Sequence, residues 1–142
     1  MDIFSKPWYE WHKGPPVPFV EKELLTRMKQ GMILDLGCGT GRGIERFRKY
    51  GWETIGLDVE IVSKALSRGH IIRASGQFLP FRDGTFDVVL MAQVLHHIPQ
   101  PMQTLSEVSR CLRKKGYILM GENIENNFLL RISRALYPTH DG

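Results

Sequence analysis

The chain has 142 residues, of which 42% are hydrophobic and 24% charged, as in an ordinary soluble globular domain. It contains no apolar run of the roughly 20 residues that a membrane span needs and no signal-peptide core, so we expect a cytoplasmic protein without a membrane partner. The net charge of +4 comes from scattered basic residues, which give no clear nucleic-acid signal. Cys38 and Cys111 lack metal-like spacing, so we expect reduced thiols and no metal site. Arg110 and residues 113–115 are expected to form a solvated helix end.

The predicted elements alternate between strands and helices along the chain. In order they are a helix over 17–30, a strand over 32–36, a helix over 42–50, a strand over 52–57, a helix over 61–68, strands over 70–73 and 85–91, a helix over 101–113, a strand over 117–120 and a helix over 127–136. Such alternation implies an α/β fold, with a parallel sheet covered by helices on both faces. We divide the chain into an N-terminal arm and helix, residues 1–30, and a domain over 31–142.

The most informative segment is the first strand, which runs into a glycine-rich turn. Gly37, Gly39 and Gly41 lack the Cβ atoms that would hold a ligand away from the backbone, and they permit positive φ angles. The helix that follows directs its first N–H groups toward the same place, which favours a negative group there. Strand, turn and helix together predict one half of a nucleotide-type pocket.

Further polar or small residues follow the other strands. In a parallel sheet, ligands bind at the carboxyl ends of the strands, where the winding reverses. Asp58, the pair Ser75-Gly76 and Gln93 all fall at that edge. Asp58, 21 positions after Gly37, is placed to accept hydrogen bonds from both hydroxyls of a ribose, although aspartate is also common in surface turns.

The glycine spacing discriminates between two kinds of cofactor. Dinucleotide sites favour Gly-x-Gly-x-x-Gly, because the helix must approach the strand closely beneath a pyrophosphate. Arg42 occupies the third glycine position here, and a glycine follows at 43 instead. The spacing therefore disfavours a nicotinamide-dependent oxidoreductase, which we keep as an alternative.

Residues 35–41 resemble the first motif of the class I S-adenosylmethionine-dependent methyltransferases, of the type that acts on small molecules. The resemblance continues through residues 56–58, 79–89, 94–99 and 105–117, in the family's order and spacing. It implies a Rossmann-like parallel sheet of five strands in the order 3-2-1-4-5. It also implies S-adenosyl-L-methionine as the cofactor and methyl transfer to a small-molecule acceptor.

The same resemblance implies roles for individual residues. Asp35 would order the turn, Asp58 would hold the ribose and Val59 would pack on the adenine. Ser75 stands where the family usually has an aspartate, so the adenine contacts are expected from Gly76 and Gln77. Gln93 would face the sulfonium. The implied cofactor-binding set is Asp35, Gly37, Cys38, Gly39, Gly41, Asp58, Val59, Ser75, Gly76, Gln77 and Gln93.

Two adjacent histidines are candidates for acid-base chemistry. A sulfonium gives up its methyl group by in-line displacement, so the protein mainly aligns the acceptor with the methyl carbon. A hydroxyl or thiol acceptor would also need a base, and His96 and His97 are the candidates. The alternative, which the resemblance favours, is that these histidines shape the loop before the next helix.

Members of the family normally continue past the fifth strand with two more strands, which this sequence lacks. We expect the domain to be incomplete at its C-terminus, as a fragment of a longer protein. Otherwise a partner chain, such as a second copy in a homodimer, would cover the edge of the fifth strand. A truncated acceptor side and Ser75 also leave open a cofactor-binding but inactive partner subunit.

Overall fold

The computed structural model describes residues 30–121, which contain one five-stranded parallel sheet. The strands are β1 (Met32–Leu36), β2 (Glu53–Asp58), β3 (His70–Arg73), β4 (Phe86–Ala92) and β5 (Leu112–Gly121). The helices are α1 (Arg42–Lys49), α2 (Ser63–Leu66) and α3 (Pro101–Cys111), and a short 3₁₀ turn spans Leu95–His97. The strand order is β3-β2-β1-β4-β5. The predicted Rossmann-like α/β sheet and its order are confirmed.

The order of the strands determines where a ligand can bind. The first strand, β1, lies in the middle of the sheet, and β2 and β3 follow outward on one side of it. The chain then returns to the other side of β1 with β4. Leu36 is in register with Leu57 on one side and with Met91 on the other, so three carboxyl ends lie side by side. The winding reverses between β1 and β4, which opens a crevice at that edge.

Alternating side chains of the strands form two apolar layers, and each layer is covered by a helix. One layer packs β1, β2 and β4 against α3, and the other packs β1 and β4 against α1. The first contains Leu34, Leu36, Leu57, Val89, Met91, Leu105 and Val108, and the second contains Ile33, Phe47, Trp52, Val88 and Leu90. Helices therefore cover both faces, as predicted.

Some predicted boundaries are wrong, and the largest difference lies at the junction of α3 and β5. The helix ends at Cys111, and the strand begins at Leu112 rather than at 117. Leu112 pairs with Phe86, and the register then shifts so that Tyr117 pairs with Val88, so the last two residues predicted as helix lie in the strand. The helix predicted over 61–68 is reduced to α2, and its first turn is lost because Val62 is extended.

Asp87 of β4 connects β1 and β5 to its own strand, at the end of the sheet where β1 begins. Its carboxylate accepts the N–H of Met32 at 2.8 Å, which fixes the start of β1. Arg113 of β5 donates to both of its oxygens at 3.0 Å. Residues 113–115 are exposed, as predicted, but they lie in β5 rather than at the end of a helix, and Arg113 pairs with Asp87.

Other predictions fall on residues that the structure does not describe. The helix over 17–30, except its last residue, and the helix over 127–136 lie outside residues 30–121, as do the N-terminal arm and the end of the domain. Within the described range, no helix is long and apolar enough to cross a membrane. The same range contains no group of three or more His, Cys, Asp or Glu side chains that could hold a metal ion.

Asp35 is a carboxylate buried between β1 and α1. Its side chain is only 4% exposed, and a Cβ on Gly43 of α1 would lie 2.4 Å from its Oδ2. Burial, and to a smaller extent the negative charge of Asp58, raise the pKa of Asp35 from 3.8 to about 7. The fold therefore favours the protonated form of this side chain.

Replacing Asp35 by Asn should remove a pH dependence of stability. The folded chain keeps this proton up to about pH 7, whereas the unfolded carboxyl loses it near 3.8. The free energy of unfolding of the native sequence therefore falls as the pH rises from about 4 to 7, and stays lowered above that. At pH 8 we expect Asp35→Asn to be the more stable by up to about 4 kcal/mol, with near equality at pH 4.

Urea unfolding at pH 4 and pH 8 measures this difference. Glu53→Gln, which removes an exposed carboxylate from β2, is the matched control and should leave the pH dependence unchanged. The assignment fails if Asp35→Asn loses as much stability between the two pH values as the native sequence does.

Candidate functional site

A cavity of about 400 Å³ opens at the edge of the sheet where the winding reverses. Its walls come from the ends of β1 and β2 and from the segments that follow β3 and β4. They are formed by Leu36, Gly37, Leu57, Asp58, Val59, Ala74, Ser75, Gly76, Gln77, Gln93, Val94, His97, Ile98 and Pro99. This volume lies in the range of small-molecule and cofactor sites.

The structure brings most of the predicted site residues together around this cavity. Those that line it are Gly37, Asp58, Val59, Ser75, Gly76, Gln77, Gln93 and His97. Those that do not are Asp35, Cys38, Gly39, Gly41 and His96. The second group lies mainly in and beneath the glycine turn, residues 37–41, where it can act on the shape of the cavity wall.

Gly37 is the position of the turn where a side chain is least tolerable. Its φ is +75°, and a Cβ there would lie 2.3 Å from Cγ2 of Val94. The N–H groups of Gly37 and Cys38 both donate to the carbonyl of Leu57, at 2.8 and 3.2 Å. The turn is thereby fixed to β2, and these two N–H groups are already occupied within the protein.

Cys38 contributes packing to the turn. A Cβ on Gly56 would lie only 2.8 Å from the sulfur of Cys38. The sulfur therefore fills the space that a side chain at position 56 would need. Burial raises the pKa of the Cys38 thiol to about 12, so the group stays protonated at neutral pH. Cys38 therefore supports the turn from outside the cavity lining.

Asp58 connects the glycine turn with the loop that follows β2. Its Oδ2 accepts the N–H of Gly39 at 2.9 Å, and its Oδ1 accepts the N–H of Glu60 at 3.2 Å. A carboxylate has about four acceptor positions, so two bonds leave others for a ligand in the cavity. The side chain is held in place before any ligand binds.

The loop after β3 is held against α3 by hydrogen bonds. Ser75 Oγ accepts the N–H of Gln77 at 3.2 Å, and the carbonyl of Gln77 accepts a bond from the Gln103 side chain at 3.0 Å. A Cβ on Gly76 would lie 3.3 Å from a methyl group of Thr104, so the loop lies close to the helix. These contacts fix the wall of the cavity next to Asp58, whose carbonyl accepts the N–H of Ala74 at 3.1 Å.

Glu107 and Arg110, which were not among the predicted site residues, hold the rest of this loop. Arg110 donates to the carbonyls of Leu79 and Phe81, and Glu107 accepts the N–H of Leu79 at 2.8 Å. Glu107 and Arg110 also pair with each other at 2.9 Å, and this bond lowers the pKa of Glu107. Arg110 is therefore not the solvated residue that we predicted. Its spacing of three from Glu107 on a helix is the signal that could have found the pair.

The segment after β4 begins with Gln93 in a left-handed conformation. Its φ is +55°, which is uncommon for a residue other than glycine. Its backbone N–H and its side-chain amide both donate to the carbonyl of Gly121, at 2.6 and 3.1 Å. The chain then turns through Leu95–His97, where the rings of His96 and His97 lie 4.0 Å apart. Only the second of these histidines lines the cavity.

The lining combines apolar walls with few charges. Asp58 and His97 are the ionisable side chains among the residues that line it. Apolar groups of Val59, Ala74 and Ile98 lie on the same walls. A carboxylate beside apolar surface suits a molecule with hydroxyl groups next to a flat apolar part, as in a nucleoside.

Comparison with known proteins agrees with this geometry. Residues 34–120 match the family model of a methyltransferase domain. An uncharacterized methyltransferase of Mycobacterium leprae is 30% identical over 127 residues, which cover 82% of this chain and 42% of that protein. The chain spans between 38% and 65% of the length of the curated relatives that it matches.

Solved structures share the same fold. The PH0226 protein of Pyrococcus horikoshii OT3 is 28% identical with a TM-score of 0.67, over 95% of this chain and 63% of that one. A Thermotoga maritima protein described as a SAM-dependent methyltransferase, possible histamine N-methyltransferase, is 25% identical with a TM-score of 0.59, over 72% and 49% of the two chains. Since the family match covers more than half of the chain, the protein belongs to the class I S-adenosylmethionine-dependent methyltransferase family.

Proposed function

We propose that the cavity binds S-adenosylmethionine and that the protein transfers its methyl group to a small-molecule acceptor. The observation that carries the proposal is the Asp58 carboxylate, which lies in the cavity wall and is held there by the N–H of Gly39 at 2.9 Å. Family membership supports it. The Thermotoga protein, described as a possible histamine N-methyltransferase, supports a small acceptor.

The proposed position of the cofactor follows from the lining. Asp58 accepts hydrogen bonds from the two ribose hydroxyls, and the adenine lies between Val59 and the loop that contains Ser75 to Gln77. The methionine portion extends along the glycine turn, where Gly37 presents bare backbone. Asp35, buried beneath the turn, acts on the shape of the turn.

The chemistry that the bound cofactor would supply is an electrophilic methyl group on a sulfonium. The chain's contribution is alignment, which alone can supply about 7–11 kcal/mol of a barrier. Gln93 and His97 line the cavity after β4, on the other side of β1 from Asp58, so we propose that they face the acceptor. Of the two histidines, only His97 is placed to take a proton from a hydroxyl or thiol acceptor.

The turn also argues against the oxidoreductase alternative. A dinucleotide site directs backbone N–H groups of its turn at a pyrophosphate. Here the N–H groups of Gly37, Cys38, Gly39 and Gly41 are bound to Leu57, to Asp58 or within the turn itself. These N–H groups are therefore not available to bind a phosphate, and this favours a cofactor without phosphate groups.

Calorimetric titration with S-adenosylhomocysteine and with NAD tests the choice of cofactor. We expect binding of the first compound and none of the second, and the reverse result would contradict the proposal. Transfer of a labelled methyl group to a panel of small amines, alcohols and thiols then tests activity. Binding without transfer to any of them would favour the inactive partner subunit.

Asp58→Ala should weaken binding of S-adenosylhomocysteine about 100-fold, because two hydrogen bonds to a charged group are lost. Asp58→Asn keeps one acceptor oxygen, so its affinity should lie between that of Asp58→Ala and that of the native sequence. Glu60→Gln, at an exposed neighbouring carboxylate, is the matched control and should bind as the native sequence does. An unchanged dissociation constant for Asp58→Ala, measured by calorimetry, would refute the ribose assignment.

Ser75→Asp should tighten the same binding about three- to tenfold. A carboxylate accepts a hydrogen bond from the adenine amino group more strongly than a hydroxyl does. The aspartate can still accept the N–H of Gln77, as Ser75 does at 3.2 Å, so the loop keeps its turn. Ser75→Ala serves as the control for the loss of that bond. If Ser75→Asp binds no more tightly than the native sequence, the adenine does not lie at this loop.

A further inference from the structure

The glycine turn needs anchors from outside itself. Gly37, Gly39 and Gly41 all have positive φ angles. Because glycine populates many backbone conformations about equally, these residues do not fix the shape of the turn by themselves. Leu57 holds the first part of the turn through backbone hydrogen bonds. The rest of the turn is held by two side chains among the described residues, Asp58 at Gly39 and Arg68 at Thr40.

Arg68 reaches the turn from the segment between α2 and β3. Its Nη1 donates to the carbonyl of Thr40 at 2.6 Å, and its Nε pairs with Glu45 of α1 at 3.0 Å. Its own carbonyl accepts a bond from Arg48, also on α1, at 3.1 Å. The Arg68 side chain is only 19% exposed, so these contacts are partly shielded from water.

The bond to Thr40 fixes one peptide plane of the turn from both sides. The carbonyl of that peptide is held by Arg68, and its N–H, which belongs to Gly41, donates to the carbonyl of Cys38 at 2.8 Å. Gly41 in turn lies against α2, since a Cβ there would be 3.4 Å from the backbone of Ala65. The orientation of this peptide sets how the backbone of the turn faces the cavity.

The two side-chain anchors differ in what they do for a ligand. Asp58 also lines the cavity, and under the proposed function it binds the ribose. Arg68 does not line the cavity, and its contacts hold the turn against α1. We infer that Arg68 is a positioning residue, which holds the glycine turn in the shape that receives the amino-acid portion of the cofactor.

This inference rests on the proposed function, and it distinguishes the two ends of the cofactor. S-adenosylhomocysteine carries an amino-acid portion, whereas 5′-methylthioadenosine has the same nucleoside without it. A positioning role at the turn should therefore affect binding of the first compound and spare the second. A general loss of stability would affect both alike.

The experiment is calorimetric titration of the full chain with both compounds. For Arg68→Ala we expect binding of S-adenosylhomocysteine to weaken about 10- to 30-fold, and binding of 5′-methylthioadenosine to change less than about threefold. Arg68→Lys should rescue only part of the loss, because an ammonium cannot hold Thr40 and Glu45 in the planar geometry of the guanidinium. Lys64→Ala, which removes an exposed cation from α2, is the matched control and should change neither affinity.

Glu45→Gln provides a second variant that keeps the Thr40 contact and removes the charge that orients Arg68. We expect it to weaken binding of S-adenosylhomocysteine about three- to fivefold and to leave binding of 5′-methylthioadenosine unchanged. This variant carries the test if Arg68→Ala does not fold, as judged by circular dichroism. Equal weakening of the two compounds, or no weakening of either, overturns the inference. If the native chain binds neither compound, the proposed function fails first, and the inference fails with it.

Discussion

The parallel register of β1 with β2 and β4 is the constraint on which the site depends. It places the ends of three strands side by side, with Leu36 between Leu57 and Met91. The carbonyl of Leu57 can then accept the N–H groups of the turn that leaves β1, and Asp58 follows within reach of Gly39. A shift of one residue in either pairing would turn these groups to the wrong face of the sheet.

The hydrogen bonds of the turn therefore organise the cavity before a ligand enters it. Asp58 is oriented by two backbone N–H groups, so little side-chain entropy is lost when it binds hydroxyl groups. The neighbouring wall, formed by the loop after β3, is also constrained, since Gln77 is bonded to α3 and the next residues are held by Glu107 and Arg110. Such preorganisation suits an activity in which alignment is the main contribution of the protein.

Much of the fold could be predicted because its signals are local. Apolar runs, glycines and the residues that follow each strand identify the elements and the edge at which Asp58, Ser75 and Gln93 meet. The junction of α3 and β5 could not be predicted, because pairing of Leu112 with Phe86 depends on residues 26 positions apart. The same holds for the bond of Arg68 to Thr40 and for the bonds of Arg110 to Leu79 and Phe81, which are distant in sequence, whereas the pairing of Arg110 with Glu107 is local. It also holds for the left-handed Gln93, whose two bonds go to Gly121.

The charges around the turn indicate which kind of molecule it accommodates. Two carboxylates, Asp35 and Asp58, lie close enough that the second raises the pKa of the first. A phosphate group placed beside them would be repelled, whereas a cationic group would be attracted and would lower the pKa of Asp35 again. The proposed cofactor carries a sulfonium and an ammonium against a single carboxylate, so its net charge is positive and its binding would offset part of the free energy that burying Asp35 costs. The same carboxylate that destabilises the empty fold near neutral pH would thus favour the occupied one, and affinity would be gained without any contact between Asp35 and the cavity.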